Sequence, residues 1–155
     1  MIGFLGEYEV TLDSKGRFLL PAAFKKQLQG EQSGQFVINR GIEPCLTLYP
    51  ITTWEPLFEE ISRKNDFDPQ VREFRRRFLN GATHIEPDNA GRLLVPRNLA
   101  DYAGLEKDIL LVSAVNKIEI WDSSRYKKLF ESSSPEEFSK LADAVMNRKD
   151  GQLPG

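Results

Sequence analysis

The sequence Asp-Ser-Lys-Gly-Arg at residues 13–17 is followed by the apolar run Phe-Leu-Leu and by Pro21. The same order of residue types returns at residues 88–92 as Asp-Asn-Ala-Gly-Arg, followed by Leu-Leu-Val and Pro96. The two motifs begin 75 positions apart, and in each of them an aspartate stands four residues before an arginine. Two matches of this length within 155 residues indicate an internal duplication of the chain.

Each motif predicts a tight hairpin turn that leads into a buried strand. The carboxylate of Asp13 or Asp88 can accept hydrogen bonds from the backbone two or three residues on, and a glycine supplies a positive φ. The apolar run then predicts a strand, and the proline ends it and opens a short helix. A well-formed hairpin with solvated charges would explain one copy alone. A hairpin does not need an arginine at the same place twice, however, and the duplication favours a binding role.

The residues that carry these motifs resemble the MraZ family. They are Gly6-Glu7-Tyr8, the segment from Leu12 to Arg17, Pro21-Ala22, and Asp88 with Arg92. The resemblance extends over essentially the whole chain. It implies an α+β fold, a tandem pair of AbrB-like double-split β-α-β units that share a β-barrel-like core, with additional flanking helices. It also implies a bacterial transcriptional regulator of the division and cell-wall gene cluster that forms a ring-shaped homo-oligomer.

The predicted elements divide the chain into two repeats, residues 1–80 and residues 81–150, and a loose tail at residues 151–155. Each repeat is predicted as a β-hairpin, a short helix, a second hairpin and two further helices. Each is too small to bury a large core alone, so the two repeats are expected to share one.

Capping residues mark three of the predicted helix starts. Thr52 and Glu55 have the spacing of a capping box. Asp68 followed by proline supplies an N-cap and a favoured first helical residue. Ser134 and Glu137 form a second capping box. The buried stripe predicted for the helix after Asp68 consists of Val71, Phe74 and Phe78, and the apolar face of the last helix consists of Phe138, Leu141, Ala142 and Val145.

Composition limits the possible functions. The net charge of −2 argues against bulk electrostatic binding of nucleic acid, for which a basic domain is typical. Any DNA contact should therefore come from a local patch, multiplied by oligomerisation. No apolar run approaches the ~18 residues of a membrane span, and no signal peptide is recognisable. A single cysteine provides neither a disulfide framework nor a thiolate cluster. A cytoplasmic, nucleoid-associated protein without membrane contact is expected.

An enzymatic role is the alternative that the paired aspartates suggest. Aspartic proteases pair two carboxylates, but on Asp-Ser/Thr-Gly loops, and a cation on the same loop would keep each carboxylate here ionised. His84 is the only histidine, which excludes a site with several histidines, and Cys45 is expected in the core rather than as a nucleophile. No glycine-rich phosphate loop is present. The sequence predicts no enzyme, no cofactor, no metal and no small-molecule substrate.

Sequence-specific recognition of double-stranded DNA is the predicted function. The predicted DNA-binding residues are Lys15, Arg17 and Arg92, and the predicted loop-orienting residues are Asp13, Gly16, Asp88 and Gly91. Lys15 and Arg17 would enter the major groove, where arginine can form two hydrogen bonds with guanine. A head-to-tail ring presents its loops in one orientation, which predicts direct repeats in a promoter as the partner.

A structural or protein-binding oligomer without DNA recognition is the second hypothesis. Its arginines would form ion pairs between subunits. The predicted helix that follows Asp68 carries four arginines, Arg72, Arg75, Arg76 and Arg77. Such a run is typical of a solvated helix face, and an intersubunit ion-pair surface or contacts to DNA phosphates are the alternatives.

Overall fold

The computed structural model describes residues 3–28 and 34–148. The strands of this part are β1 (Glu7–Thr11), β2 (Arg17–Leu19), β3 (Phe36–Arg40), β4 (Leu46–Pro50), β5 (Thr83–Ile85), β6 (Arg92–Leu94), β7 (Asp108–Ser113) and β8 (Ile118–Asp122). Its helices are α1 (Ala22–Gln27), α2 (Ile51–Ser62), α3 (Pro69–Phe78), α4 (Arg97–Ala103), α5 (Ser123–Glu131) and α6 (Pro135–Met146). The fold is α+β, as predicted. The predicted tail at residues 151–155 lies outside the described residues.

Two compact units make up the chain, one ending at Ser123 and the other beginning at Ser124. The first unit contains both Asp–Arg motifs and all eight strands of the described residues. The second contains α6 and nearly all of α5. No helix in the described ranges is both long enough and apolar enough to cross a membrane.

A six-stranded antiparallel sheet interleaves the two halves of the chain, in the order β1-β7-β8-β4-β3-β5. Strand β1 of the first half pairs with β7 of the second, and β5 of the second half pairs with β3 of the first. The sheet is open, with β1 and β5 at its edges, so the described strands do not close the barrel that the sequence led us to expect. The reason is that β2 and β6 pair with each other and do not join the two edges.

Strands β2 and β6 form a separate antiparallel pair, which we call the ribbon. Its register pairs Arg17 with Leu94, Phe18 with Leu93, and Leu19 with Arg92. Phe18 and Leu93 are buried while their neighbours are exposed or half-buried, as expected where successive side chains alternate between two faces. Because β2 and β6 run in opposite directions, the two Asp–Arg motifs lie at opposite ends of the ribbon.

The main core lies where the ribbon, α1 and α4 meet one face of the large sheet. Phe18 and Phe24 come from the first half of the chain, and Leu93, Leu99 and Ile120 from the second. All five side chains are at most 1% exposed. Burial of apolar surface from both halves is the main stabilising contribution to the fold, and the predicted sharing of one core is confirmed.

Helices α2 and α3 enclose a second core against the opposite face of β3 and β4. Its buried residues include Val37, Tyr49, Trp54 and Phe78. The rings of Trp54 and Phe78 are stacked with their centroids 6.0 Å apart. Phe74 is 45% exposed, so the predicted buried stripe of α3 is wrong at this residue. Position 74 lies one helical turn before Phe78, and its ring stacks on that of Phe78 with the centroids 5.1 Å apart, at the solvent-exposed edge of the second core.

The capping predictions have different outcomes. Asp68 caps α3, since its Oδ1 accepts a hydrogen bond from the backbone N–H of Gln70 at 2.9 Å. Ser134 caps α6 through a bond from the N–H of Glu137 at 3.1 Å. The predicted capping box of α2 is wrong, because the helix begins at Ile51, directly after β4 and without a side-chain cap. Backbone continuity from the strand sets this helix start.

Candidate nucleic-acid interface

Residues 13–17, which we call the first loop, are held by the carboxylate of Asp13. Its Oδ1 accepts hydrogen bonds from the backbone N–H groups of Lys15 and Arg17, both at 2.9 Å. Its Oδ2 accepts a bond from Nε of Arg17 at 2.8 Å. Gly16 has a φ of 85°, a backbone conformation that glycine adopts without strain. The aspartate therefore fixes both the turn and the position of the arginine Nε.

Residues 88–92, the second loop, repeat this arrangement bond for bond. Oδ1 of Asp88 accepts from the N–H groups of Ala90 and Arg92 at 2.9 Å, and Oδ2 accepts from Nε of Arg92 at 3.0 Å. Gly91 has a φ of 81°. The duplication has thus preserved the way in which an arginine is presented, and not only the turn.

The bonds to aspartate use only one of the three guanidinium nitrogens in each loop. In the described part of the chain, Nη1 and Nη2 of Arg17 and Arg92 have no hydrogen-bond partner. The two arginine side chains are 26% and 35% exposed. A guanidinium held at Nε keeps two NH₂ groups available, which suits two-point recognition of a guanine edge or a phosphate.

The loops also lower the pKa values of their aspartates. The hydrogen bond from the N–H of Arg17 holds the pKa of Asp13 below its ordinary value, and the Arg17 side chain and the N–H of Lys15 act in the same direction. The corresponding bonds from Arg92 and Ala90 lower the pKa of Asp88. Both carboxylates are therefore ionised at neutral pH, each with its own arginine. The proton sharing that an aspartic protease requires is not supported.

An open cleft of about 810 Å³ flanks the first loop. Its lining is of mixed charge: Lys15, Arg97 at the start of α4 and Lys107 just before β7 line it together with the carboxylates of Asp13, Asp101 and Glu106. Sequence reasoning missed these last two cations, which are 82 and 92 positions from Lys15. No local pattern indicates them. The pairing of β1 with β7 brings Lys107 close, and its carbonyl accepts a bond from the N–H of Leu12 at 2.8 Å.

The arginine run of α3 divides by role. Nη2 of Arg75 donates to the carbonyls of Ile61, Ser62 and Lys64 at 3.0, 3.1 and 2.7 Å. Nη1 of Arg75 contacts the Asp66 carboxylate. Arg75 therefore satisfies carbonyls at and just beyond the C-terminus of α2, where intrahelical donors run out. It has a structural role, and the run as a whole is not a uniform binding surface.

A groove of about 590 Å³ lies beside the same helix. It is lined by Arg40, Ile42, Phe74, Arg76 and Tyr102, among others. The Arg40 guanidinium lies 5.7 Å from the centroid of the Tyr102 ring. Ile42 is 89% exposed, so the groove combines apolar surface with positive charge. We call it the Arg40 groove.

Cys45 and His84 lie outside the two loops. Cys45 is buried, and burial raises the pKa of its thiol to about 12, which keeps it protonated at neutral pH. His84 lies in β5, where it pairs with Val37. Within the described residues, no group of three or more His, Cys, Asp or Glu side chains is placed to hold a metal ion.

Comparisons with known proteins agree with the duplicated architecture. The family model described as "MraZ protein, putative antitoxin-like" matches twice, at residues 3–77 and 78–149. The "Transcriptional regulator MraZ" of Christiangramia forsetii is 42% identical over 151 residues, 97% of each chain. The protein of the same name from Cytophaga hutchinsonii is 42% identical, covering 92% of this chain and 94% of its own. That of Natranaerobius thermophilus is 35% identical, covering 93% and 97%.

Proposed function

The chain belongs to the MraZ family, a family of transcriptional regulators and not of enzymes, and on this basis we propose that it regulates transcription by sequence-specific binding of double-stranded DNA. The observation that carries the proposal is the repeated geometry of the two loops. In both, an aspartate holds Nε of an arginine and leaves two guanidinium nitrogens available. Conservation of this detail across a duplication is expected of a binding function and is not needed for a turn.

Arg17 and Lys15 of the first loop are the proposed contacts in the major groove. Arginine can form two hydrogen bonds with guanine, each good pair contributing about 1–3 kcal/mol of discrimination against other bases. Asp13 and Gly16 orient the first loop, and Asp88 and Gly91 orient the second. Arg92 contributes a secondary DNA contact, or supports folding and subunit contacts.

Assembly compensates for the small number of cations. A chain with a net charge of −2 needs several copies on one duplex to bind tightly. We propose a head-to-tail ring, in which successive first loops share one orientation and contact direct repeats in a promoter. The resemblance to the family supports the ring and a target in a division and cell-wall gene cluster. It also supports a cytoplasmic, nucleoid-associated location. Residues 1–80 and 81–150 are the proposed repeats of each subunit.

The exposed apolar face of α6 is a candidate surface for the contact between subunits. Phe138, Leu141 and Val145 are 71%, 60% and 50% exposed, and no residue of this helix is buried. Helix α6 carries three acids and one lysine, whereas α3 carries four arginines and one glutamate. The opposite charges make α6 of one subunit and the Arg40 groove beside α3 of another suitable partners.

A gel shift with a salt titration tests the proposal. The probe is the duplex upstream of the protein's own gene, and the competitor is a scrambled duplex of the same length. We expect preferential binding whose log K falls linearly with log salt, in proportion to the phosphates neutralised. A structural or protein-binding oligomer would show no preference between the two duplexes, and that result would refute the proposal.

A further inference from the structure

The outer face of the ribbon carries two exposed leucines. Leu19 is 54% exposed and Leu94 is 51% exposed, whereas their strand neighbours Phe18 and Leu93 are 1% and 0% exposed. Side chains alternate between the faces of a strand. Leu19 and Leu94 therefore share the outer face of the ribbon with Arg17 and with the arginine of the second loop.

The register places each leucine directly across from an arginine of the other strand. Leu94 pairs with Arg17, and Leu19 pairs with Arg92. The Cβ atoms of directly opposite residues are about 4.5–5.5 Å apart, and diagonal neighbours such as the two arginines are about 7–8 Å apart. The patch of two arginines and two leucines therefore fits within a major groove about 12 Å wide, which admits a two-stranded ribbon.

Packing within the fold buries only about half of the surface of each leucine. Cδ1 of Leu94 lies 3.9 Å from where a Cβ on Gly16 would stand, and Cδ2 of Leu19 lies 3.9 Å from the corresponding position at Gly91. Each leucine thus covers the glycine of the loop at its end of the ribbon, with about half of its surface left in solvent. A single exposed leucine needs no explanation. Two leucines repeated by the duplication, each opposite a candidate DNA-binding arginine, indicate a shared purpose.

We propose that Leu19 and Leu94 contact the 5-methyl groups of thymines that neighbour the base bound by Arg17. The inference rests on the proposed function and deepens it. The thymine methyl is the apolar group that a base pair displays in the major groove, and strands are known to enter that groove in β-ribbon regulators. The ribbon face then recognises a guanine through an arginine and an adjacent thymine through a leucine.

Replacement of thymine by uracil tests this directly, because uracil keeps every hydrogen-bonding group of thymine and lacks only the methyl. The probe is a duplex obtained by affinity selection from a random library, resynthesised with deoxyuridine at one thymine at a time. For the wild-type protein we expect affinity to fall about fourfold for each contacted methyl removed, equivalent to ~0.8 kcal/mol. The loss should be confined to particular positions in each repeat, with the other thymines indifferent.

Variants assign the effect to the ribbon. The double variant Leu19→Ala/Leu94→Ala should bind the thymine and uracil duplexes equally, while Leu19→Met should keep the preference because it keeps apolar contact. Leu5→Ala removes an exposed leucine outside the ribbon, 67% exposed, and should behave as wild type. If the double alanine variant does not fold, the single variants Leu19→Ala and Leu94→Ala carry the same comparison, and equal binding of both duplexes by the wild type still overturns the inference.

The possible outcomes separate this inference from the proposed function. Equal binding of thymine and uracil duplexes by the wild type, with discrimination against a scrambled duplex intact, overturns the inference alone. If the uracil effect persists in the double alanine variant, the thymine methyl contacts another residue or acts through DNA flexibility. That outcome also overturns the inference. Binding without preference for any duplex overturns the proposed function and the inference together.

Discussion

Nε of Arg17 donates a hydrogen bond to Oδ2 of Asp13 at 2.8 Å, four residues earlier in the chain. The bond holds the guanidinium in place without using its two terminal nitrogens. The same carboxylate binds the loop backbone through Oδ1. A single side chain therefore shapes the turn and orients the group proposed to recognise DNA, so these two tasks can be separated by substitution.

Asp13→Asn separates them. Asparagine keeps an acceptor for the backbone N–H groups but lacks the negative charge that attracts Nε of Arg17. We expect the variant to fold with a modest loss of thermal stability, and its preference for the selected duplex to fall severalfold. Gel shifts with selected and scrambled duplexes measure this preference. Asp66→Asn, in the α2–α3 connection, serves as the control. A variant with unchanged preference would contradict the orienting role of Asp13.

Arg17→Lys tests the planar fork of the guanidinium. Lysine keeps the positive charge but cannot form the two-point contact with guanine. Site preference should fall by about 1–3 kcal/mol, while weak binding to unrelated duplex persists. Competition gel shifts at fixed salt report both quantities, and Arg63→Lys on the exposed end of α2 is the matched control. Equal binding of the selected duplex by Arg17→Lys and wild type would exclude base recognition by Arg17.

The two loops are expected to contribute unequally. The first carries Lys15 as a second cation beside Arg17, whereas the second has Ala90 at the position of Lys15. Arg17→Ala should therefore reduce DNA affinity more than Arg92→Ala. Both variants must first be shown to fold and assemble, by thermal unfolding and light scattering. The reverse order of effects in assembled proteins would overturn the assignment of the first loop as the main contact.

Local chemistry made the loops predictable from sequence, whereas the surfaces around them depend on distant pairings. The turn, the glycine φ and the Asp68 cap follow from residues within four positions of one another. The sheet has open edges because β2 and β6 pair with each other and not with its edge strands. The cleft in which Lys15 meets Arg97, Lys107 and the acids Asp101 and Glu106 follows from tertiary contacts that no sequence periodicity indicates.

Acidification should reduce the stability that the ionised aspartates of the two loops contribute to the fold. The pKa values of Asp13 and Asp88 are lowered from the ordinary 3.8, so ionised carboxylates stabilise the fold above pH 3.8. That contribution is lost as the pH falls from 3.8 through the lower folded-state values. The stability difference between wild type and Asp13→Asn/Asp88→Asn should therefore shrink over this interval. Denaturant unfolding at successive pH values measures it, and a difference that grows on acidification would contradict the loop electrostatics.

Spacing between DNA repeats tests the assembly and the recognition together. If first loops follow one another around a ring, adjacent loops meet the same face of the duplex when direct repeats are about one helical turn apart, roughly 10–10.5 base pairs. Insertion of half a turn should rotate one repeat away and remove most of the affinity, while insertion of a full turn should cost less. An isologous dimer would instead require an inverted repeat.

Light scattering provides the independent measurement for the same model. The wild-type protein should form an assembly much larger than a dimer. Substitution of Phe138 by aspartate on the exposed face of α6 should reduce the size of the assembly, because it places a charge where an apolar contact is proposed. Phe67→Asp, at an even more exposed phenylalanine between α2 and α3, is the control for general effects. A dimer in solution, or full affinity after the half-turn insertion, would defeat the ring and favour the two-fold arrangement.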